Sequence, residues 1–203
     1  MNGYSINEIF YSIQGEGAHA GEAAVFVRFS VCNLKCPFCD TKFDEYELMS
    51  AEEIIAKMQE VNTGGCRLCV LTGGEPTLQY DKELEHRLHR AGYTINMESN
   101  GTHLLKAPVD FLTISPKTQW QQQAKVVVNQ PVGEIKVVVD KRTILYQLHD
   151  YAEQYPEAKL FIQPCDTGFI KDNKEIISRC VEFIKANPKW KLSLQQQKII
   201  NVR

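Results

Sequence analysis

Three cysteines crowd one eight-residue run, Cys32-Asn33-Leu34-Lys35-Cys36-Pro37-Phe38-Cys39, in the spacing C-x3-C-x2-C. A [4Fe–4S] cluster normally takes four thiolates. Three leave one iron open, and an open iron can bind and activate a small molecule. Structural zinc sites more often pair separated C-x2-C units with a fourth Cys or His. Cys66 and Cys69 form such a C-x2-C, so a zinc knuckle is the alternative to weigh. Cys69 falls inside an apolar run, where a thiol behaves as a small hydrophobe. Cys165 and Cys180 read as structural in the same way.

A second chemical signal is Thr72-Gly73-Gly74-Glu75-Pro76. Glycines let the backbone approach a ligand closely and leave amides free to donate. Further polar groups recur at intervals: Gln14-Gly15-Glu16-Gly17, Asp40-Thr41, Glu98-Ser99-Asn100-Gly101, Ser115-Pro116-Lys117, Gln163-Pro164 and Leu192-Ser193-Leu194-Gln195. Arg28 lies within an apolar run, where an unpaired charge would be costly.

These groups sit where the elements of an α/β fold end. Runs 23–29, 67–71, 94–98, 111–115, 134–139 and 159–163 read as strands, with 191–194 as a last short one. Helices are expected over 50–61, 80–91, 142–154 and 174–186. Ser50 and Glu53 form a capping-box pair, and Gly92 stands at a C′ position. Strands alternating with helices imply parallel pairing through right-handed crossovers. Six or so such units are too few for a closed eightfold barrel, so the expected fold is a partial, open (β/α)6-type barrel with reduced helices. Sites in such sheets gather at the C-terminal strand ends, where nearly every polar motif falls.

With 203 residues, the chain is expected to form one domain, 1–203. The formal net charge of −2 gives no field that favours nucleic acid. No apolar run approaches about 18 residues, and the N-terminus lacks a basic-then-apolar leader pattern. Seven cysteines, an odd number with three in one loop, argue for a reducing compartment and a bound cluster rather than a disulfide framework. A cytoplasmic protein without membrane or nucleic-acid partners is expected.

The cysteine loop after one strand and TGGEP after the next resemble the radical S-adenosylmethionine (SAM) superfamily, as does aromatic Phe38 before the third cysteine. The resemblance implies a [4Fe–4S] cluster on Cys32, Cys36 and Cys39. It also implies SAM chelated at the open iron, held by the Gly73-Gly74-Glu75 stretch and Phe38. Ser99, Asn100, Ser115, Lys117 and Gln163 look like further SAM-binding positions. An external electron donor such as flavodoxin or ferredoxin is implied too.

The ordered set, above all QGEG paired with CDT, resembles the 7-carboxy-7-deazaguanine synthases of the queuosine pathway across residues 6–203. That family converts 6-carboxy-5,6,7,8-tetrahydropterin to 7-carboxy-7-deazaguanine with loss of ammonia. The resemblance assigns the pterin to Glu16 and Arg28, then Gln14, Thr72, Gln197 and the Arg203 carboxylate. It assigns Mg²⁺ to Thr41, with Asp40 in support, and implies a homodimer. A carboxylate suits the two adjacent donors of an aminopyrimidinone edge, and a guanidinium suits the substrate's own carboxylate. Arg28 is expected to pair with Glu16 when no substrate is bound. One departure stands out: the family's Leu-Gln-Thr-His-Lys reads Leu194-Gln195-Gln196-Gln197-Lys198 here, so Gln197 replaces the histidine. Rival readings are a glycyl-radical-enzyme activase and an iron–sulfur electron carrier. Neither predicts QGEG or CDT, and a carrier needs no Gly-Gly-Glu-Pro loop.

Overall fold

The computed structural model describes residues 3–39, 41, 45–121 and 124–202. The strands are β1 (Tyr4–Ile13), β2 (Ala23–Phe29), β3 (Glu47–Met49), β4 (Leu68–Gly73), β5 (Thr94–Ser99), β6 (Phe111–Ile114), β7 (Glu134–Val139), β8 (Lys159–Pro164) and β9 (Trp190–Leu192). The helices are α1 (Ala51–Val61), α2 (Lys82–Arg90), α3 (Leu148–Gln154), α4 (Ile170–Ala186) and α5 (Gln196–Ile199). Among the described residues the strands form one unclosed sheet in the order β3-β1-β2-β4-β5-β6-β7-β8-β9. From β2 to β9 every pairing is parallel, and the antiparallel β1 and β3 extend one edge. The open, partial barrel expected from the alternation of strands and helices is the observed architecture.

The parallel strands are buried on both faces, so they read as near-continuous apolar runs. In β2, Ala24, Val25, Phe26, Val27 and Phe29 are all buried. The main core joins Val25, Val27 and Phe29 to Leu71, Ile95, Met97, Leu112, Ile135 and Ile162, with Ile54, Met58, Leu84, Leu88 and Ile176 pressed in from α1, α2 and α4.

The helix ends follow their local chemistry. Ser50 Oγ accepts the Glu53 amide at 3.2 Å and Glu53 Oε2 accepts the Ser50 amide at 2.7 Å, closing the expected capping box. α2 begins at Lys82 because Asp81 caps the Glu83 and Leu84 amides. Residues before it wind into a short 3₁₀ turn, and Tyr80 is buried with its hydroxyl on the Pro108 carbonyl. The helix expected from 142 starts only at Leu148. Asp140 Oδ1 takes the amides of Arg142 and Thr143 and holds that stretch as a turn. α4 starts four residues earlier than expected and has no side-chain cap to announce it.

Candidate functional site

The parallel strands deliver their C-terminal ends to one cavity of about 250 Å³. β2 leads into the cysteine loop, β4 into Thr72, Gly73 and Gly74, and β5 into Glu98, Ser99 and Asn100. β6 leads into Ser115 and Lys117, and β8 into Gln163. All of these residues line the cavity, together with Gln14, Glu16, Arg28, Phe38, Thr41 and Gln197. Asp40 and Arg203 lie outside the described residues.

Cys32 and Cys36 are partly buried and Cys39 is exposed. Burial pushes the thiols of Cys32 and Cys36 up, and each is raised further by the charge of a neighbouring cysteine. The Leu34 amide points at Cys32 Sγ, 3.4 Å away, as amide donors do around sulfur clusters. Three soft donors on one loop, lining a cavity and with the Lys117 ammonium near Cys36, fit an iron–sulfur cluster. Among the described residues no three His, Cys, Asp or Glu converge on a single ion. Cys69 is fully buried in the second position of β4, at the opposite end of that strand from the cavity. The Cys66–Cys69 pair therefore cannot complete a zinc site with the loop. Cys180 sits in the core, while Cys165, also buried, forms part of the cavity wall.

The glycine turn acts differently from expectation. The Gly74 amide donates to the Phe29 carbonyl at 2.6 Å and the Glu75 amide to the Val31 carbonyl at 2.7 Å. These amides bind the last residue of β2 and the residue just before Cys32, and are not free for a ligand. A Cβ on Gly74 would overlap the Val31 backbone, and Gly73 has φ +100°. Both glycines let the end of β4 lie against the root of the cysteine loop.

Glu75 is fully buried. Its Oε1 accepts the Thr77 amide at 3.1 Å and the hydroxyls of Thr77 and Ser99 at 2.7 Å each; its Oε2 accepts the Asn100 amide at 2.7 Å. Asn100 Nδ2 in turn reaches Asn33 Oδ1 in the cysteine loop at 3.1 Å. Glu75, Ser99 and Asn100 thus form a clamp between β4, β5 and the loop. Lys117 donates to the carbonyl and hydroxyl of Ser115, and burial brings its pKa down to about 8. Phe38 packs on Trp120, ring centroids 4.5 Å apart. Thr41 Oγ1 donates to the Gly73 carbonyl at 3.3 Å.

The cavity floor is polar and ionic. Burial alone would push the Glu16 carboxyl up. Lys136 Nζ, 2.6 Å from Oε2, outweighs it together with the side-chain amides of Gln195 and Gln163, and the pKa falls to about 2. Gln195 Nε2 and Gln197 Nε2 reach Glu16 Oε1 at 3.0 and 3.2 Å. Lys136 also pairs with Glu98 Oε2 at 3.2 Å, and Glu98 Oε1 accepts Gln14 Nε2 at 2.9 Å. Glu98 and Gln195 stood in the polar motifs of the sequence without a role assigned to them, and Lys136 escaped the sequence reading altogether. The available signal was the lysine within the apolar run Glu134–Val139.

Arg28 pairs with Glu8, Nε to Oε1 at 3.0 Å, and its guanidinium lies 5.8 Å from the centre of the Phe10 ring. The expected pairing with Glu16 is not formed. Glu8 is the direct cross-strand neighbour of Arg28 in the β1–β2 register, and Glu16 is already held by Lys136.

Residues 26–141 match the family model of the radical SAM superfamily. The chain is 44% identical over 199 residues to a 7-carboxy-7-deazaguanine synthase of Bacteroides thetaiotaomicron, covering 98% of each. It is 35% identical to one of Burkholderia multivorans, covering 98% of this chain and 99% of that one. The crystal structure of QueE from Escherichia coli superimposes with a TM-score of 0.76 at 26% identity, covering 95% of this chain and 94% of that one. With the cysteine loop, the clamp at Glu75 and an anionic floor in one cavity, these likenesses leave one conclusion: the chain belongs to the 7-carboxy-7-deazaguanine synthase family of radical SAM enzymes.

Proposed function

We propose that this enzyme converts 6-carboxy-5,6,7,8-tetrahydropterin to 7-carboxy-7-deazaguanine and ammonia. The observation that carries the reading is the Glu16 carboxylate, paired with Lys136 at 2.6 Å, in the same cavity that the three thiols line. A carboxylate accepts two adjacent N–H donors, which is what the aminopyrimidinone edge of the pterin offers. Arg28, held by Glu8 at the cavity wall, offers a cation for the substrate carboxylate. Thr72 and the Gln14 and Gln197 amides complete the polar lining on this side.

Cys32, Cys36 and Cys39 would hold the cluster, and SAM would lie between Phe38, Gly73, Gly74, Ser115, Lys117 and Gln163, with Glu75, Ser99 and Asn100 fixing the loops around it. When bound, the cluster and SAM would supply the radical chemistry that opens the reaction. The protein aligns the two reactants and keeps water out. Thr41, with Asp40 in support, would hold a Mg²⁺ ion beside the substrate, since one oxygen ligand plus waters and substrate oxygens is how this ion usually sits.

This reading includes a single radical SAM domain over residues 1–203, a flavodoxin or ferredoxin as electron donor, and a cytoplasmic homodimer. Among the described residues no helix is long and apolar enough to cross a membrane. The test is anaerobic turnover of the carboxytetrahydropterin by reconstituted enzyme with SAM and a reductant. Formation of 7-carboxy-7-deazaguanine and ammonia in equal amounts is expected. Release of 5′-deoxyadenosine without either product would overturn the substrate assignment, and glycyl-radical formation on a protein substrate would point to an activase.

A further inference from the structure

Lys136 is a cation in the middle of β7, a strand in which all six residues are buried, and its side chain is only 3% exposed. Such a charge is tolerated only when paired. It pairs twice, with Glu16 at 2.6 Å and with Glu98 at 3.2 Å. The two carboxylates come from different parts of the chain, the segment after β1 and the end of β5. Gln14 joins them a second time: its Nε2 donates to Glu98 and its Oε1 accepts the Glu16 amide at 3.1 Å. The result is a closed ring, Lys136–Glu98–Gln14–Glu16, in the cavity floor.

We propose that Lys136 is a positioning residue for substrate binding: its one ammonium ties Glu16 to Glu98 and fixes the direction in which the Glu16 carboxylate faces the ligand. The inference rests on the reading of Glu16 as the pterin anchor. A protonated Glu16 would present a hydroxyl where the ring's N–H groups need an acceptor. Glu16 is held in a site where burial favours the neutral acid, and among the described residues Lys136 is the cation paired with it. The other charged groups that act on Lys136 are Glu98, Glu134 on its own strand, and Lys117 beyond β6. Glu134 is turned to the Ala18 amide at 2.7 Å and the Thr113 hydroxyl at 3.1 Å, and burial pushes its carboxyl up. Neither Glu98 nor Glu134 can replace the cation; both would add to the repulsion that neutralises Glu16. Glu16 also accepts the Gln195 and Gln197 amides, but neutral donors do not replace a charge.

The sign is definite. With Lys136 in place the carboxylate survives well below neutral pH. Without it the Glu16 carboxyl is driven up, and substrate affinity falls as pH drops through the new value.

The experiment measures the dissociation constant and KM of the carboxytetrahydropterin with holoenzyme between about pH 5.5 and pH 8.5. Wild type and K136R, which keeps the charge, should show no acid limb. K136M should bind at least about tenfold more weakly at neutral pH and lose up to about tenfold more per unit toward acid. If K136M fails to accumulate folded, K136M/E98Q carries the same test, because it removes the cation together with one of its carboxylates. An affinity that falls equally at every pH, or K136R behaving like K136M, would overturn the positioning role. A wild type that neither binds nor turns over the pterin would overturn the anchor reading as well.

Discussion

The amide oxygen of Gln197 occupies the space that a Cβ on Gly15 would need, and the Gln197 backbone nitrogen lies 2.9 Å from the same point. That oxygen is buried and has no hydrogen-bond partner among the described residues, while its sister nitrogen donates to Glu16. Gly15 therefore sets how closely the start of α5 can approach the cavity floor. Gly15→Ala should push Gln197 away from Glu16 and raise the pterin KM by roughly tenfold, about 1.4 kcal/mol. A steady-state comparison at fixed SAM concentration checks this. An unchanged KM would show that the contact is incidental.

The cysteine assignment separates cleanly by iron content. Cys32→Ala, Cys36→Ala and Cys39→Ala should each abolish the cluster absorbance and SAM cleavage after anaerobic reconstitution. Cys66→Ala should keep both. Cys69→Ala should keep iron but lose stability, by about 1 kcal/mol, because it empties a fully buried position in β4. Denaturant unfolding with parallel iron analysis distinguishes the two kinds of loss.

Removing Glu75 should be a folding lesion before it is a cofactor lesion. Glu75→Ala leaves the donors of Thr77, Ser99 and Asn100 buried without an acceptor. A cost of about 3 kcal/mol or more is expected. Glu75→Gln keeps the size but offers a single acceptor oxygen, so it should recover only part of this. If Glu75→Ala unfolds at the wild-type denaturant midpoint, the clamp has been overvalued.

Thr41 gives a test of the magnesium reading. Thr41 is not one of the three thiols, so Thr41→Ala should leave the cysteine loop able to take its cluster while losing one 3.3 Å contact to the Gly73 carbonyl. It should lower turnover and flatten the response to added Mg²⁺, while Thr41→Ser restores both. Titrating Mg²⁺ into chelator-treated enzymes reads this directly. Equal rates with and without the ion in wild type would remove Mg²⁺ from the mechanism.

The parallel half of the fold was legible because its signals are local. Strands buried on both faces announce themselves as apolar runs, and β7 falls on the residues expected. β1 was not legible: its register slips between Ile6 and Glu8, which interrupts the alternation that would mark a strand. The three-residue edge strand β3 is too short to carry a pattern. The cavity lining, Glu16 included, was read from motifs along the sequence, yet the partners that hold Glu16 in place were missed. Lys136, Glu98 and Gln195 matter through partners dozens of residues away, and no spacing along the chain encodes such pairs. The same limit explains Arg28, whose partner Glu8 is set by strand register and not by sequence proximity.

The amides of Gln195 and Gln197 reach Glu16 across sequence separations of 179 and 181 residues. Loop-closure entropy makes such contacts late and slow to form. During synthesis the cysteine loop and the glycine turn emerge first, long before the segment that completes the floor. A ribosome-bound or truncated chain ending before residue 195 would contain the thiols and the Glu75 clamp but lack two of the donors that hold Glu16. Translation order alone therefore delivers the cysteine loop and the Glu75 clamp before the two amides that complete the hold on Glu16.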